Sequence, residues 1–339
     1  STNGRGIVPN NTYNRYNFSI RNTSHLLNDR LKIDVSASYI IQDHLNMINQ
    51  GEYMNPLVGA YLLPRGYGLS KARHFEKYNP NKHIYEQVWG DLAEGADGTF
   101  SGSFSKDYSL QNPYWVAYRN LREMKRERNI MSLGVTYDLK KWSDTEKWDI
   151  SGRVRSDNTN FTETDKRYAS TLSTLNMSPT GFFKLGRGVE RQTYMDVLTN
   201  ITKYFKWDNV GRFSLTANIG ASLQDIRYDD SYFEGGLLPS GIPNVFNYYQ
   251  IEPGGKDTYG SQTGYIEQTQ SVFGSVEAGY NSWLYLTLTG RNDWASQLAN
   301  SPQKSFFYPS VGLSTVITDM ISSETKEKWN PTLSFMKVR

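Results

Sequence analysis

Apolar and polar residues alternate with a period of two wherever this sequence is regular. The clearest stretch is 31–41, where apolar side chains occupy every odd position from Leu31 to Ile41 and mainly polar ones occupy the even positions. Such alternation predicts a β-strand with one apolar face. A matching series around Phe18, linked to the first by turn residues near Asn28, predicts an antiparallel hairpin. The same pattern predicts four more hairpins, in segments 131–154, 195–223, 272–288 and 311–338.

The predicted links between these strands are alternately short and long. The long links are 42–128, 161–191, 227–268 and a less extended 296–305. Soluble β-sandwiches have mostly short links, distributed over both ends. Outer-membrane barrels instead have short periplasmic turns, long external loops and alternating strands of about ten residues. The sequence therefore predicts an all-β fold, an antiparallel transmembrane β-barrel wall of about ten strands.

One face of the predicted strands is too polar for a dry protein core. In segment 211–225 this face carries Arg212, Asn218 and Gln224, with Ser, Thr and Gly between them. Burying such groups without partners would cost on the order of 1–3 kcal/mol each. The polar face is therefore expected to line a hydrated lumen, and the apolar face is expected to contact membrane lipid.

Composition and charge exclude several other classes of protein. Aromatic residues make up 14% of the 339 residues, which argues against disorder. No uncharged apolar run approaches the roughly 20 residues of a membrane-spanning helix. The net charge of +3 is dispersed, so nucleic acid is not an expected partner. The absence of cysteine excludes disulfides and thiolate zinc sites.

The aromatic residues cluster near both ends of the predicted strands. Barrels concentrate Trp and Tyr where hydrocarbon meets the headgroups. An alternative is that aromatic residues simply favour strands, although this does not explain clustering at both ends. The residues predicted to lie at the membrane interface are Trp142, Trp148, Trp207 and Trp283 near the short links, and Tyr39, Trp294 and Tyr308 near the long ones.

Motifs for catalysis or cofactor binding are missing from the sequence. The four histidines have no metal-site spacing, and there is no nucleophile elbow or P-loop. The pairs Gly4-Arg5-Gly6 and Gly186-Arg187-Gly188 are interpreted as turns. Asp229-Asp230 would suit a glycosidase pair or a calcium site, but solvated loop charges are the simpler interpretation. Neither an enzyme nor a cofactor is expected, and catalytic and metal sites are predicted to be absent.

Four residues are candidates for contact with a transported substrate. Link 42–128 is too long for a plain connector, and within it Tyr114 and Trp115 offer rings that stack on sugars or peptide groups. The alternative is that these rings pack the loop against itself. Arg153 and Arg155 would face the lumen, where they would attract an anionic ligand or pair with carboxylates of a plug domain.

Several segments resemble the SusC/RagA family of TonB-dependent outer-membrane transporters of Bacteroidota. The similarity follows the family's order along nearly the whole chain. The matching segments are 14–18, 111–117 with Asn120, 190–194, 284–296 (LYLTLTGRNDWAS), 306–312 (FFYPSVG) and 335–339 (FMKVR).

This resemblance implies a barrel of about 22 strands around an N-terminal plug. It further implies a SusD-like surface lipoprotein as partner, and energy from the TonB-ExbB-ExbD system for import of oligosaccharides or peptides. Residues 1–339 would then be part of the barrel, with the plug and the C-terminal strands missing. Two other functions stay open: a passive porin or structural barrel, and a soluble secreted glycan-binding sandwich or glycosidase.

Overall fold

The computed structural model describes residues 1–47, 54–61, 66, 68–88, 111–143, 145–207, 211–255 and 258–317. These residues form twelve strands, three short α-helices and three 3-10 turns. The strands are β1 (Thr2–Arg5), β2 (Thr12–Leu26), β3 (Leu31–Leu45), β4 (Glu76–Asn79), β5 (Ile84–Gln87), β6 (Asn120–Lys141), β7 (Lys147–Tyr168), β8 (Gly181–Trp207), β9 (Gly211–Gly236), β10 (Tyr259–Tyr280), β11 (Leu284–Ala295) and β12 (Ser305–Thr315). The helices are α1 (Pro56–Tyr61), α2 (Pro113–Arg119) and α3 (Ser173–Asn176), and the 3-10 turns are Lys71–Arg73, Tyr248–Gln250 and Ser296–Leu298.

Ten of the strands form one continuous antiparallel sheet. Its order is β1-β2-β3-β6-β7-β8-β9-β10-β11-β12, so every strand lies beside its neighbour in the chain apart from the β4-β5 hairpin. That hairpin belongs to the link between β3 and β6. The all-β antiparallel sheet expected from the sequence is confirmed. The last predicted strand, near Met336, lies outside the described residues, and β1 is an additional strand.

The register separates the side chains into two faces. The apolar face carries residues such as Phe18, Val35 and Leu133, whereas the polar face carries residues such as Asp34 and Arg153. Because side chains alternate along each strand, register partners always lie on the same face. The pleat thus converts the alternation in the sequence into two chemically different surfaces.

The strands are tilted as a barrel wall requires. The register row that starts at Leu31, the first residue of β3, passes through Thr199 and Ile219 and reaches Gly290 on β11. Gly290 lies six residues beyond Leu284, where β11 begins, and six strand-to-strand steps separate β3 from β11. One residue per step corresponds to a tilt of about 35°, which is the range found in closed barrels.

The long links are shorter than the sequence indicates. They cover 46–119, 169–180, 237–258 and 296–304, so the predicted boundaries of 42–128, 161–191 and 227–268 are wrong. The strands continue outward past the apolar band with polar residues on both faces, for example Asn158 and Thr159 on β7. Alternation disappears there although the backbone pairing persists.

Buried apolar side chains are concentrated at the long-link end, in the links and in the outer ends of the strands. One cluster contains Phe183, Leu237 and Ile251, packed against Phe233 and Phe246. By contrast, Val311 is 74% exposed, Ile20 71% and Ile219 66%, although all three lie on the apolar face. A soluble sandwich would cover this face, and no second sheet lies on it within the described residues.

Candidate functional site

The polar face carries a ladder of ion pairs across its centre. Asp157 on β7 accepts two hydrogen bonds from Arg128 on β6, at 2.8 and 2.7 Å, and a third from Arg155 at 3.2 Å. Asp157 is buried beneath the two guanidinium groups, which remain partly exposed. Nearer the start of β7, the guanidinium of Arg153 donates a hydrogen bond to the carboxylate of Asp196 on β8 at 2.9 Å. Carboxylates of the wall itself therefore hold both arginines that the sequence predicts to face the lumen.

These ion pairs border two connected polar grooves. The larger, about 450 Å³, is lined by Arg128, Arg153, Arg155 and the amide of Gln192. The second, about 180 Å³, shares Arg128 and adds two further arginines. Those arginines are Arg15 and Arg126. Five arginines and three carboxylates (Asp157, Glu190 and Asp196) meet on this surface. The excess of positive charge attracts anionic groups.

Three aromatic rings form a row on the same face, nearer the long-link end. Tyr228 of β9 lies between Phe161 of β7 and Tyr265 of β10, with ring centroids 6.3 and 5.2 Å away and interplanar angles of 24° and 20°. Glu190 is the register partner of Tyr228 and adds an exposed carboxylate beside the row. Ring faces flanked by carboxylates bind planar apolar groups and the hydroxyl or ammonium groups next to them.

Gly188 makes room for this aromatic row. It lies on β8 as the register partner of Phe161, and a Cβ atom there would collide with the Phe161 ring, whose Cε2 is 2.9 Å from that position. Gly186-Arg187-Gly188 therefore belongs to a strand, and its interpretation as a turn is wrong. Gly4 and Arg5 likewise lie in β1. Phe161 lies eight residues after Arg153 on β7. Because side chains alternate between the two faces of a strand, both residues lie on the polar face.

The link between β3 and β6 is held by Asn112, which precedes α2. The side chain of this fully buried residue accepts the N–H of Tyr114 at 2.9 Å and donates to the carbonyls of Ala72 and Val88, each at 2.9 Å. Proline follows at the first helical position, which suits a helix start. One side chain thus joins three parts of the link.

Trp115 supports this link and is not a ligand contact. Its ring is fully buried, and its Nε1–H donates to Thr171 Oγ1 at 2.9 Å. The substrate contact predicted for Trp115 is therefore wrong, because the buried ring has no accessible face; Tyr114 remains half-buried. Nearby, Arg119 makes a bidentate pair with Glu76 at 2.7 and 2.8 Å, and this hydrogen bonding raises the pKa of Arg119.

Six of the seven residues predicted at the membrane interface lie on the apolar face or in short links. Tyr39, Trp148, Trp207 and Trp294 lie on the apolar face, in register with residues such as Phe18 and Ile201. Trp142 and Trp283 lie in short links.

Tyr308 has a different placement. It pairs with Arg291 across β11 and β12 and so lies on the polar face. An interface position on the apolar face is therefore wrong for Tyr308, because Pro309 and Val311 have the outward parity on β12. Lipid contact of the other six aromatic residues remains a prediction.

Within the part of the chain that the structure describes, no group of three His, Asp or Glu side chains is arranged to hold a metal ion. No α-helix in the described ranges has both the length and the apolar character needed to cross a membrane.

Comparison with known proteins establishes the fold. No family model and no curated protein matches the sequence. Among solved structures, the RagAB peptide transporter matches with a TM-score of 0.60 and 16% identity over 89% of this chain. The RagAB peptide importer in its open-open state gives 0.56 and 17% over 89%, and in its closed-closed state 0.58 and 18% over 92%.

The likeness concerns only part of each transporter chain. The present chain spans about 30% of the length of the RagAB chains it matches. At this identity the likeness demonstrates a shared fold. The predicted fold, part of an antiparallel β-barrel wall, is confirmed.

Proposed function

We propose that this chain forms part of the wall of a TonB-dependent importer for large nutrients in the bacterial outer membrane. The observation that carries the proposal is the shared fold with the RagAB peptide transporter over 89% of the chain. The exposed apolar face and the tilt of about 35° support a position in the membrane. The family resemblance of segments such as 284–296 supports the same class.

In this role the polar face lines the passage for the substrate. The arginine ladder and the row of Phe161, Tyr228 and Tyr265 offer hydrogen bonds, charge and ring faces at successive heights. Several weak contacts suit transport, because a single tight site would delay release. Oligosaccharides and oligopeptides both carry groups that this surface can bind, and we propose substrates of this class.

The proposed partners meet the wall at its two ends. A SusD-like lipoprotein would bind over the long-link end, where Asn112 and Trp115 hold the largest link in shape. The TonB-ExbB-ExbD system would supply energy from the side of the short links. Both partners are implied by the family resemblance, and the described parts of the outer links offer a surface for the first.

The two alternative functions make different demands on the wall. A soluble sandwich or glycosidase requires the apolar face to be covered, whereas Val311 and Ile219 on that face are largely exposed. A passive porin would use the same polar face without energy. Energy dependence therefore separates it from the importer.

Uptake by cells that produce the complete protein tests the proposal. Deletion of the gene should abolish growth on one glycan or peptide mixture, and uptake of the labelled nutrient should stop in a tonB deletion or after collapse of the proton gradient. A lipoprotein should co-purify with the complete protein. Uptake that persists without TonB would favour the porin, and unchanged growth on every mixture would refute import.

A further inference from the structure

Arg191 on β8 and Arg227 on β9 are direct register partners. Each lies four residues beyond the register pair Met195–Leu223, so both have the parity of the apolar face. Both are exposed, with 62% of the Arg227 side chain accessible. Two arginines thus lie side by side on the surface that faces away from the proposed substrate passage.

The height of this pair corresponds to the headgroup region of the membrane. On β9 the apolar face runs from Phe213 to Leu223, which at about 3.3 Å per residue and a tilt of 35–45° is about 25 Å along the membrane normal. This is the usual height of the outward apolar band of a barrel. Arg227 lies roughly 10 Å farther out by the same estimate, where its long side chain can reach back towards the headgroups.

Like charges in direct register destabilise a sheet unless an opposite charge lies between them. Arg227 has one such partner, because its Nε donates to Asp225 Oδ1 at 2.9 Å. For Arg191, no carboxylate within ion-pair distance is found in the described part of the chain. One positive charge of the pair is therefore left to an external anion.

A groove of about 820 Å³ opens beside the two arginines. Its lining includes Val189 and Ile266, which provide apolar walls, and Gly264, which has no side chain to fill it. Asp229 also borders the groove, as the register partner of Val189, one step farther from the apolar band than the arginine pair. Asp225, the ion-pair partner of Arg227, lies on the band side of that arginine. Arg191 has Thr193 on its band side and the uncharged Asn158 as its register partner on β7, so an anion would bind the pair from the side of Arg191.

We propose that Arg191 and Arg227 bind the phosphate group of a membrane lipid in the outer leaflet. Two guanidinium groups present donors to phosphate oxygens in a bidentate manner, which a compact ammonium group does not. Lipid is the occupant because the pair lies directly above the lipid-contacting band and outside the passage. The inference depends on the membrane position and not on import, so loss of lipid binding with uptake unchanged leaves the proposed function intact.

Binding of lipid A to the complete protein in detergent tests the proposal. The variants are the double substitution R191Q/R227Q and, as a control, K304Q, which removes a charge from the exposed link between β11 and β12 at the same end of the sheet. Native mass spectrometry should show at least tenfold weaker retention of lipid A by the double variant and no change for K304Q. Dephosphorylated lipid A should bind both proteins equally.

A thermal measurement separates a lost site from a damaged fold. Without lipid, R191Q/R227Q should unfold at about the same temperature as the native protein, because it loses both the repulsion between the two arginines and the exposed ion pair of Arg227 with Asp225. Lipid A should then raise the unfolding temperature of the native protein more than that of the variant. Equal stabilisation of both proteins, or competition by inorganic phosphate at the concentration that lipid A requires, would overturn the assignment to a lipid.

Discussion

Phe161 of β7 leans across Gly188 of β8 and reaches Tyr228 on the next strand. Phe161 and Gly188 are register partners, and the space that a Cβ atom at Gly188 would need is occupied by the ring. Cross-strand rings normally contact their neighbour on the adjacent strand, whereas this one contacts a ring two strands away, at 6.3 Å. The missing side chain is therefore what connects the aromatic row.

Substitution G188A should displace the Phe161 ring and separate it from Tyr228. We expect a loss of about 1 kcal/mol in stability, the low end for overpacking, because the outer end of a side chain can move. With F161A already present, G188A should cost much less, since coupled neighbours are not additive. Urea unfolding of the four proteins in this cycle measures the coupling.

The control for this cycle is G134A. Gly134 also lies on the polar face, but a Cβ there would contact Asp34 at an ordinary 3.9 Å. Its effect should be small and independent of F161A. Additive effects of G188A and F161A would contradict the proposed contact between them.

The strand segments in which apolar and polar side chains alternate can be predicted from the sequence. The sequence predicts strands such as β3 and β9 because one face of each is apolar and the other is polar, which gives a period of two. Their outer halves escape this criterion, since both faces there are polar. For this reason the sequence suggests a turn at Gly186 and Gly188, whereas backbone pairing continues through both residues.

The candidate site was only partly predictable. The parity of Arg153 and Arg155 correctly indicates the polar face, but their partners Asp196 and Asp157 depend on register between strands. Trp115 and Tyr114 are adjacent in sequence, yet only the tertiary contact with Thr171 shows which ring is buried. A sequence fixes which residues share a face, and register decides which of them meet.

Replacement of Asp157 should loosen the arginine ladder. In D157N the nearly buried carboxylate becomes neutral, so Arg128 and Arg155 lose their common partner and repel each other. We expect a loss of about 1–2 kcal/mol in stability, because hydrogen bonds to charged groups are the stronger ones. Urea unfolding measures it. D29N is the control, since the exposed contact of Asp29 with His25 at 3.6 Å should contribute little; equal effects would contradict the assignment.

Substitution W115F should loosen the long link without unfolding the sheet. It removes the hydrogen bond to Thr171 and leaves a gap in a fully buried position, for which we expect about 2 kcal/mol. T171V should act in the same direction, because it leaves the buried indole N–H without its acceptor. Limited proteolysis should cut within 46–119 faster in both variants, whereas Y249F, at an exposed position, should resemble the native protein. Faster unfolding of the whole sheet would contradict a local role.

The short link between β6 and β7 should weaken at acidic pH through Glu146. Its carboxylate accepts hydrogen bonds from the backbone N–H of Tyr204 at 2.9 Å and from the ammonium group of Lys203 at 3.3 Å. These two hydrogen bonds lower the pKa of Glu146. Because the pKa is lower in the folded state, the stabilisation is present above the unfolded value of about 4.3 and is lost as the pH falls through the folded value. Between pH 7 and pH 3, the unfolding midpoints of the native protein and E146Q should differ most at neutral pH and approach each other as the pH falls below the unfolded pKa. K203M, which keeps the larger contribution from Tyr204, should retain most of the pH dependence; a difference from E146Q that is constant with pH would contradict the role of the carboxylate.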